Sequence, residues 1–230
     1  MAEPMIPEAA MLFAAGFGTR MGALTRNRPK PLIEVAGRPL LDHALAIAQE
    51  AGAAPIVVNA HYLADQVAAH LRGRDVALSR ETPDILDTGG GLRAARPLLG
   101  AGPVFTMNTD AVWHGPNPLS LLARHWRPAH MDALLLLLPP AQALGHAGAG
   151  DFVADGAGRL TRGPGMVYSG AQIIRTELLE DMPDGAFSLN LLWDRMMAAG
   201  RMHGLAYPGR WCDVGHPGGI ALAEGMLRDV

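Results

Sequence analysis

The chain has 230 residues, 49% of them hydrophobic, which is enough to bury one full core. Its 19 Lys and Arg residues against 22 Asp and Glu residues give a formal net charge of -3, which excludes a general positive field for binding nucleic acid. The longest apolar run, residues 133–138, is too short to cross a membrane. The single cysteine, Cys212, favours a reducing compartment. We therefore expect one cytoplasmic domain, residues 1–230, that binds neither nucleic acid nor membrane.

Apolar runs alternate with amphipathic segments along the chain, and this order predicts an α/β fold. Its sheet is expected to be mixed, mostly parallel and covered by helices on both faces. In the first half, about residues 10–110, strands are predicted at 11–15, 55–59, 76–79 and 104–107, and helices at 41–51, 63–71 and 92–99. In the second half, about residues 111–230, strands are predicted at 132–138, 166–174 and 204–206, a hairpin at 152–162, and helices at 119–126, 189–199 and 219–228. Residues 141–150 lose this periodicity, which is typical of a mobile loop over a site.

A glycine-rich turn follows the first predicted strand, where Gly16 and Gly18 come directly after Ala14 and Ala15. Backbone N–H groups in such a turn can bind phosphate. The spacing is not that of a dinucleotide-binding fold, and no P-loop motif is present. A purely structural turn therefore remains an alternative at this point.

Two cations after the glycine turn favour the phosphate interpretation. Arg20 can clamp a phosphate with two hydrogen bonds, and Lys30 lies between Pro29 and Pro31, which stiffen its backbone. The alternative is that both are solvated surface charges. Their position after this turn makes phosphate binding the preferred interpretation.

Asp110 and Asp213 are the candidate metal ligands. Each is an isolated acid in an apolar setting, in VFTMNTD and RWCDVG. Magnesium takes one or two carboxylates together with substrate phosphates and waters, so two aspartates are sufficient. Each alone could equally cap a helix or turn.

The segment from Thr88 to Gly91 contains three consecutive glycines and is predicted to be a loop. Such a loop can be flexible and nothing more, or its bare backbone can let a flat base approach. The nine histidines show no metal-ligand spacing, and we interpret His61, His114 and His146 as surface or loop residues.

Taken together, these motifs resemble the signature of sugar-1-phosphate nucleotidyltransferases, and the match spans almost the whole chain. The chain is most similar to compact N-acetylmuramate-1-phosphate uridylyltransferases of bacterial cell-wall recycling. The segments that carry the resemblance are AAGFGTRM at 14–21, PKPL at 29–32, NAHYL at 59–63, TGGG at 88–91, NTD at 108–110, YSG at 168–170 and WCDVG at 211–215.

The resemblance implies a Rossmann-like, nucleotide-diphospho-sugar transferase fold, with a nucleotide half at 10–110 and a sugar half at 111–230. It implies that Arg20, Lys30 and Asp110 are catalytic and that Asp110 and Asp213 hold Mg²⁺. The implied nucleotide-binding residues are Ala14, Ala15, Gly16, Gly18, Thr19, Arg20, Glu81, Thr88 and Gly89. The implied sugar-binding residues are Asn108, Gly150, Asp151, Ser169 and Gly170.

The implied reaction transfers a nucleoside monophosphate from a nucleoside triphosphate to a sugar 1-phosphate and releases pyrophosphate. We expect UTP and N-acetylmuramate 1-phosphate as substrates, with mannose-1-phosphate guanylyl transfer as the alternative. A catalytically silent nucleotide sensor is the alternative from another class. A monomer or weak homodimer is expected.

Overall fold

The computed structural model describes residues 6–228. Their α-helices are α1 (Leu40–Glu50), α2 (Ala64–Leu71), α3 (Asp87–Leu99), α4 (Pro118–His125), α5 (Asn190–Ala198) and α6 (Pro217–Arg228). Their strands are β1 (Ala10–Phe13), β2 (Glu34–Val35), β3 (Arg38–Pro39), β4 (Ile56–Ala60), β5 (Ala77–Arg80), β6 (Pro103–Asn108), β7 (Ala111–His114), β8 (Ala133–Leu138), β9 (Ala143–Leu144), β10 (Phe152–Ala154), β11 (Leu160–Arg162), β12 (Val167–Arg175), β13 (Met202–Ala206) and β14 (Arg210–Asp213). No helix among these residues is long and apolar enough to span a membrane.

Seven strands form the main sheet in the order β13-β8-β12-β6-β1-β4-β5. β12 runs antiparallel to both of its neighbours, and all other pairs in this sheet are parallel. The prediction of a mixed, mostly parallel sheet is therefore confirmed. The main sheet contains strands from both halves of the chain, which meet where β6 pairs with β12.

Helices cover both faces of this sheet, as predicted. Neighbouring strand residues point to opposite faces, so Leu12 packs in a core with α1, α2 and α4, whereas Met11 packs in a core with α3 and α5. The five consecutive leucines of β8 divide between the two cores in the same way. A strand buried on both faces needs such a continuous apolar run.

A second, small sheet has the order β7-β14-β9, and α6 packs beside it in a third core. β14 pairs with β7 so that Asp213 lies opposite Ala111, the residue after Asp110. The Val214 amide also donates to the Asp110 carbonyl oxygen at 2.8 Å. This pairing brings together two aspartates that are far apart in the sequence.

The structure corrects two predictions of loops. The segment Thr88–Gly91 lies inside the first turns of α3, which begins at Asp87 rather than near Leu92. Gly89 and Gly90 are buried against residues 185–187 and Gly91 against Glu81 and Asn59, so tertiary packing outweighs the low helix propensity of glycine. Within residues 141–150, Ala143–Leu144 form strand β9, so this segment is partly ordered by pairing with β14.

Candidate active site

A cavity of about 230 Å³ opens at the carboxyl ends of β1, β4 and β6. Open α/β sheets bind their ligands at this edge. Eight of the residues predicted to form the site line the cavity: Ala14, Ala15, Gly16, Lys30, Glu81, Thr88, Asn108 and Asp110. Phe13, Pro31, Asn59, Ile85, Asp87 and Thr109 complete the lining.

Lys30 and Asp110 form an ion pair in the wall of this cavity. The Lys30 Nζ atom lies 2.8 Å from the Asp110 Oδ2 atom. The lysine side chain is 11% exposed and the aspartate side chain 33%, so the pair is only partly open to solvent. Pro29 is extended and Lys30 begins a 3-10 turn with Pro31, which fixes the backbone that carries the ammonium group.

Asp213 lies in the same charged cluster. Burial raises the pKa of its carboxyl group, and the nearby charge of Asp110 raises it further, against the opposing effect of Lys30, Arg20 and His146. Two carboxylates are thus close enough to repel each other. A cation between them would relieve that repulsion.

Arg20 approaches Asp213 through a gap that Gly215 leaves open. A Cβ atom added at Gly215 would lie 2.8 Å from Asp213 Oδ2 and 3.1 Å from Arg20 Nη1. The absence of a side chain at position 215 therefore lets the guanidinium and the carboxylate come near each other.

The glycine turn is held by contacts with the lysine segment. Gly18 has a left-handed backbone with φ +64°, and a Cβ atom there would lie 2.9 Å from Lys30 Cβ. Thr25 donates from Oγ1 to the Gly18 carbonyl oxygen at 3.1 Å. Between residues 16 and 33 the chain carries three arginines and one lysine and no acidic residue. This turn is a local concentration of positive charge in a protein of net negative charge.

A buried chain of hydrogen bonds supports the turn from below. The Asn59 Oδ1 atom accepts from the Ala14 amide at 2.7 Å, and its Nδ2 atom donates to Glu81 Oε1 at 2.6 Å. Glu81 Oε2 in turn accepts from the Leu86 amide at 2.7 Å. Glu81 is 1% exposed, so its carboxylate is used to hold the walls of the cavity together.

Gly89 does not line the cavity among the described residues, although Thr88 does. The Gly89 amide donates to the Phe187 carbonyl oxygen at 2.9 Å, and the Phe187 ring occupies the space that a Cβ atom at Gly89 would need. The Gly89 amide is therefore already used in a hydrogen bond within the protein and is not free to contact a nucleotide base. Gly89 shapes the helix that carries Thr88.

Asn108 and Gly170, two of the predicted sugar-binding residues, are in contact. Gly170 has φ +87°, and a Cβ atom there would lie 2.9 Å from Asn108 Nδ2. The predicted Ser169 contact differs, because Ser169 is 1% exposed and donates to the Leu136 carbonyl oxygen at 2.6 Å. Its hydroxyl group cannot contact a sugar in this conformation.

Asp151 and Gly150 lie beside the strand that contains these residues. Asp151 Oδ2 accepts from the Tyr168 amide at 2.8 Å. Gly150 has φ +95° and passes close to the carbonyl oxygen of Gly165. Neither residue lines the cavity at the carboxyl ends of β1 and β6.

Comparisons with known proteins agree with this arrangement. Residues 10–146 match the family of MobA-like NTP transferase domains. The chain belongs to this family. An N-acetylmuramate alpha-1-phosphate uridylyltransferase of Caulobacter vibrioides is 42% identical over 240 residues, covering 97% of this chain and 98% of the relative. A protein of the same name from Neisseria meningitidis serogroup B is 34% identical, covering 90% of this chain and 92% of the relative.

A solved structure supports the fold of this NTP transferase. The inositol-1-phosphate CTP transferase from T. maritima superposes with a TM-score of 0.80, covering 97% of this chain and 96% of that chain. Its sequence identity is 14%, so the likeness concerns the fold alone. The resemblance to sugar-1-phosphate nucleotidyltransferases that the sequence motifs indicated is confirmed by the family match and by the two uridylyltransferases.

The sequence-based list of site residues for this NTP transferase omitted the six residues that complete the cavity lining, of which Asn59, Asp87 and Thr109 are polar. It also omitted His146. His146 is close enough to Asp213 to lower the pKa of that carboxyl group. Asn59 begins the NAHYL motif, which was a usable signal. His146 gave no such signal, because its position depends on the pairing of β9 with β14.

Proposed function

We propose that this protein transfers a uridylyl group from UTP to N-acetylmuramate 1-phosphate, giving UDP-N-acetylmuramate and pyrophosphate. The observation that carries the proposal is the Lys30–Asp110 pair, 2.8 Å long, in the wall of a cavity bordered by a phosphate-type glycine turn. The identity of 42% with the Caulobacter uridylyltransferase supports this choice of base and sugar.

The glycine turn is proposed to hold the triphosphate. The backbone of Gly16, Gly18 and Thr19 supplies N–H groups, and Arg20 supplies a planar guanidinium. Lys30 neutralises charge near the reacting phosphorus. Phosphoryl-type transfer depends on alignment and charge neutralisation, and this set of donors provides both.

Asp110 and Asp213 are proposed to hold Mg²⁺. The pairing of β14 with β7 brings the two residues together, and burial, together with the nearby charge of Asp110, raises the pKa of the Asp213 carboxyl group. An all-oxygen pair of this kind fits Mg²⁺, which takes one or two carboxylates and completes its shell with phosphates and water. When bound, the ion withdraws charge from the phosphate oxygens.

No protein nucleophile is needed in this scheme. An oxygen of the sugar phosphate attacks the α-phosphorus in line, a new P–O bond forms, and the bond to pyrophosphate breaks. We propose that Glu81, Thr88 and Gly89 shape the base side, and that Asn108, Gly150, Asp151 and Gly170 shape the sugar side. Ser169 would act there through its main chain, because its hydroxyl group is engaged.

The test is to incubate the purified protein and Mg²⁺ with each of four nucleoside triphosphates and a panel of sugar 1-phosphates, and to measure pyrophosphate. Release with UTP and N-acetylmuramate 1-phosphate is expected to exceed release with every other pair. Turnover with GTP and mannose 1-phosphate but not with UTP would select mannose-1-phosphate guanylyl transfer instead. Nucleotide binding by calorimetry without any pyrophosphate release would select a silent sensor.

We also propose that the protein works in the cytoplasm as a monomer or weak homodimer. The single buried thiol, Cys212, is compatible with a reducing environment. Light scattering over a range of protein concentrations measures the oligomeric state directly. A concentration-independent dimer mass would contradict this part of the proposal.

A further inference from the structure

His146 lies beside the charged cluster although nothing in its sequence spacing indicates this. It follows β9, whose residue Leu144 pairs with Cys212 of β14. The two parallel strands run in step, so Gly145 comes next to Asp213, and His146 follows directly after Gly145 at the same end. The electrostatic effect of His146 on the Asp213 carboxyl group agrees with this placement.

Two glycines hold the histidine in this position. Gly145 has φ +75° and its backbone lies against the Asp213 carbonyl oxygen, where a side chain would collide. A Cβ atom added at Gly148 would lie 2.6 Å from His146 Nε2 and 3.3 Å from Cε1. The imidazole ring therefore rests in a space that exists because position 148 has no side chain.

The ring nitrogens of His146 are available to a ligand. Four of the nine histidines use a ring nitrogen within the protein: His43 with the Val35 carbonyl, His61 with the Glu81 carbonyl, His70 with Asp42 and His125 with the Leu121 carbonyl. His146 makes no such side-chain hydrogen bond with residues 6–228, and it is only partly exposed.

The charges of the site leave a place for such a donor. Arg20 and Lys30 both come from the nucleotide half, and Lys30 is paired with Asp110. The acceptor brings its own phosphate group to a site that already holds the phosphates of UTP, and the negative charges of the two substrates repel each other. A donor on the acceptor side offsets that repulsion, and His146 comes from the half of the chain that carries the proposed sugar-binding residues.

We propose that His146 binds the phosphate group of the sugar 1-phosphate acceptor by donating an imidazole N–H to a phosphate oxygen. This inference rests on the proposed function. The second ionisation of a phosphate monoester has a pKa of about 6, so the attacking oxygen is already deprotonated near pH 7 and no proton has to pass to the imidazole. His146 therefore positions the nucleophile, and its hydrogen bond favours binding of the acceptor over binding of UTP.

The test compares wild-type protein with His146→Gln and Gly148→Ala. The KM for N-acetylmuramate 1-phosphate is expected to rise roughly ten- to a hundredfold in both variants, the effect of losing a hydrogen bond to a charged group. The KM for UTP is expected to change less than about threefold, since Arg20 and the glycine turn are intact. Gly148→Ala leaves His146 in the sequence, but its new methyl group displaces the imidazole ring.

Matched controls are His130→Gln, an exposed histidine, and Gly156→Ala, where a Cβ atom would meet nothing within 4 Å. Both should leave the two KM values unchanged. Thermal unfolding checks that every variant is folded. Equal rises in both KM values, or no rise for the acceptor, would overturn the inference.

Equilibrium binding separates this inference from the proposed function. Calorimetry measures the Kd of N-acetylmuramate 1-phosphate in the presence of Mg²⁺ and a UTP analogue with a methylene group between the α and β phosphorus atoms. Weaker acceptor binding in His146→Gln, with no pyrophosphate release by wild type, would sustain the inference and remove the proposed function. Turnover by wild type, with an unchanged acceptor Kd in His146→Gln, would sustain the proposed function and overturn the inference about His146.

Discussion

Lys30 Nζ and Asp110 Oδ2 are 2.8 Å apart, and they come from segments separated by three strands of the main sheet and three helices in the sequence. The pair places a fixed positive charge beside one member of the proposed metal pair. Because the two side chains form an ion pair, a substitution at either position also removes the charge partner of the other residue.

Asp110→Asn is expected to lower kcat by about a hundredfold or more, because it removes one proposed carboxylate ligand and leaves the Lys30 ammonium group unpaired. Pyrophosphate release under saturating substrates measures the loss. Asp65→Asn is the matched control, because the Asp65 side chain is 91% exposed and lies in a surface ion pair with Arg80. Unchanged kinetics in Asp110→Asn would show that this aspartate is only structural.

Asp213→Asn is expected to abolish the stabilisation that Mg²⁺ gives to the wild-type protein. Burial and Asp110 raise the pKa of this carboxyl group, which means that the folded protein disfavours its charge when no metal is bound. The amide therefore leaves the metal-free protein as stable as wild type or more so. Thermal unfolding with EDTA and with Mg²⁺ measures both effects.

At 100 times the Kd, Mg²⁺ should stabilise the wild-type protein by about 2.7 kcal/mol. Asp194→Asn, on the exposed side of α5, should keep this response. A full Mg²⁺ response in Asp213→Asn would exclude this residue as a metal ligand.

Asn59→Ala is expected to lower the free energy of unfolding by about 2–3 kcal/mol, because it leaves the Ala14 amide and the Glu81 carboxylate buried without their partner. Urea denaturation measures the change. Asn27→Ala should stay within about 0.5 kcal/mol of wild type, since its side chain is exposed. A loss in Asn59→Ala no larger than in Asn27→Ala would show that the buried hydrogen bonds carry no stability.

Gly89→Ala and Gly225→Ala should have opposite effects, although both glycines lie in helices. At Gly89 the new methyl group meets the Phe187 ring, which should cost about 1–3 kcal/mol in free energy of unfolding. At Gly225 a Cβ atom meets nothing within 4 Å, so the substitution should stabilise the protein by about 0.5–1 kcal/mol. Urea denaturation of the two variants tests the pair, and stabilisation in both would contradict the packing of α3 against residues 185–187.

The lowered pKa of Asp42 leads us to expect that the free energy of unfolding depends on pH in the acid range. Burial tends to raise the pKa of its carboxyl group, but hydrogen bonds and charges from His70 and Arg74 outweigh this and lower it below its usual value of 3.8. A lowered pKa gives stability that is present above the unfolded-state value and is lost as the pH falls through the folded-state value. Asp42→Asn should therefore be less stable than wild type at about pH 5.5, with a difference that shrinks toward about pH 2.5.

Denaturation of wild type and Asp42→Asn across this range measures the difference. Asp75→Asn serves as a control from the loop that follows α2. A difference between wild type and Asp42→Asn that stays constant with pH would mean that the contacts of Asp42 act without its charge.

Much of the fold followed from the sequence because the strands of the main sheet are continuous apolar runs. Ala133–Leu138, for example, can only be a buried element, and its β-strand was predicted to within one residue. The glycine turn, Lys30 and the two aspartates were also visible as motifs. These features are local in sequence, so a local pattern is sufficient to predict them.

The remaining features depend on tertiary contacts that no local pattern records. Three glycines in succession indicate a loop, and only their tertiary contacts, with Phe187 at Gly89 and Glu81 at Gly91 among them, explain why they belong to α3. The hydroxyl group of Ser169 is taken by the Leu136 carbonyl of a neighbouring strand. His146 lies near Asp213 because the two-residue strand β9 pairs with β14, and so short a strand cannot be predicted from the sequence.

The antiparallel strand β12 has a consequence for protein engineering. It joins the second half of the chain to β6 of the first half, and its Gly170 leaves just enough space for the Asn108 side chain. The region that would have to be exchanged to alter acceptor choice is therefore interleaved with the region that would bind the nucleotide. A chimera made by cutting near residue 110 would pair β6 of one parent with β12 of the other in the middle of the main sheet, so recombination with a relative should succeed only if the partner residues of β6 and β12 are transferred together.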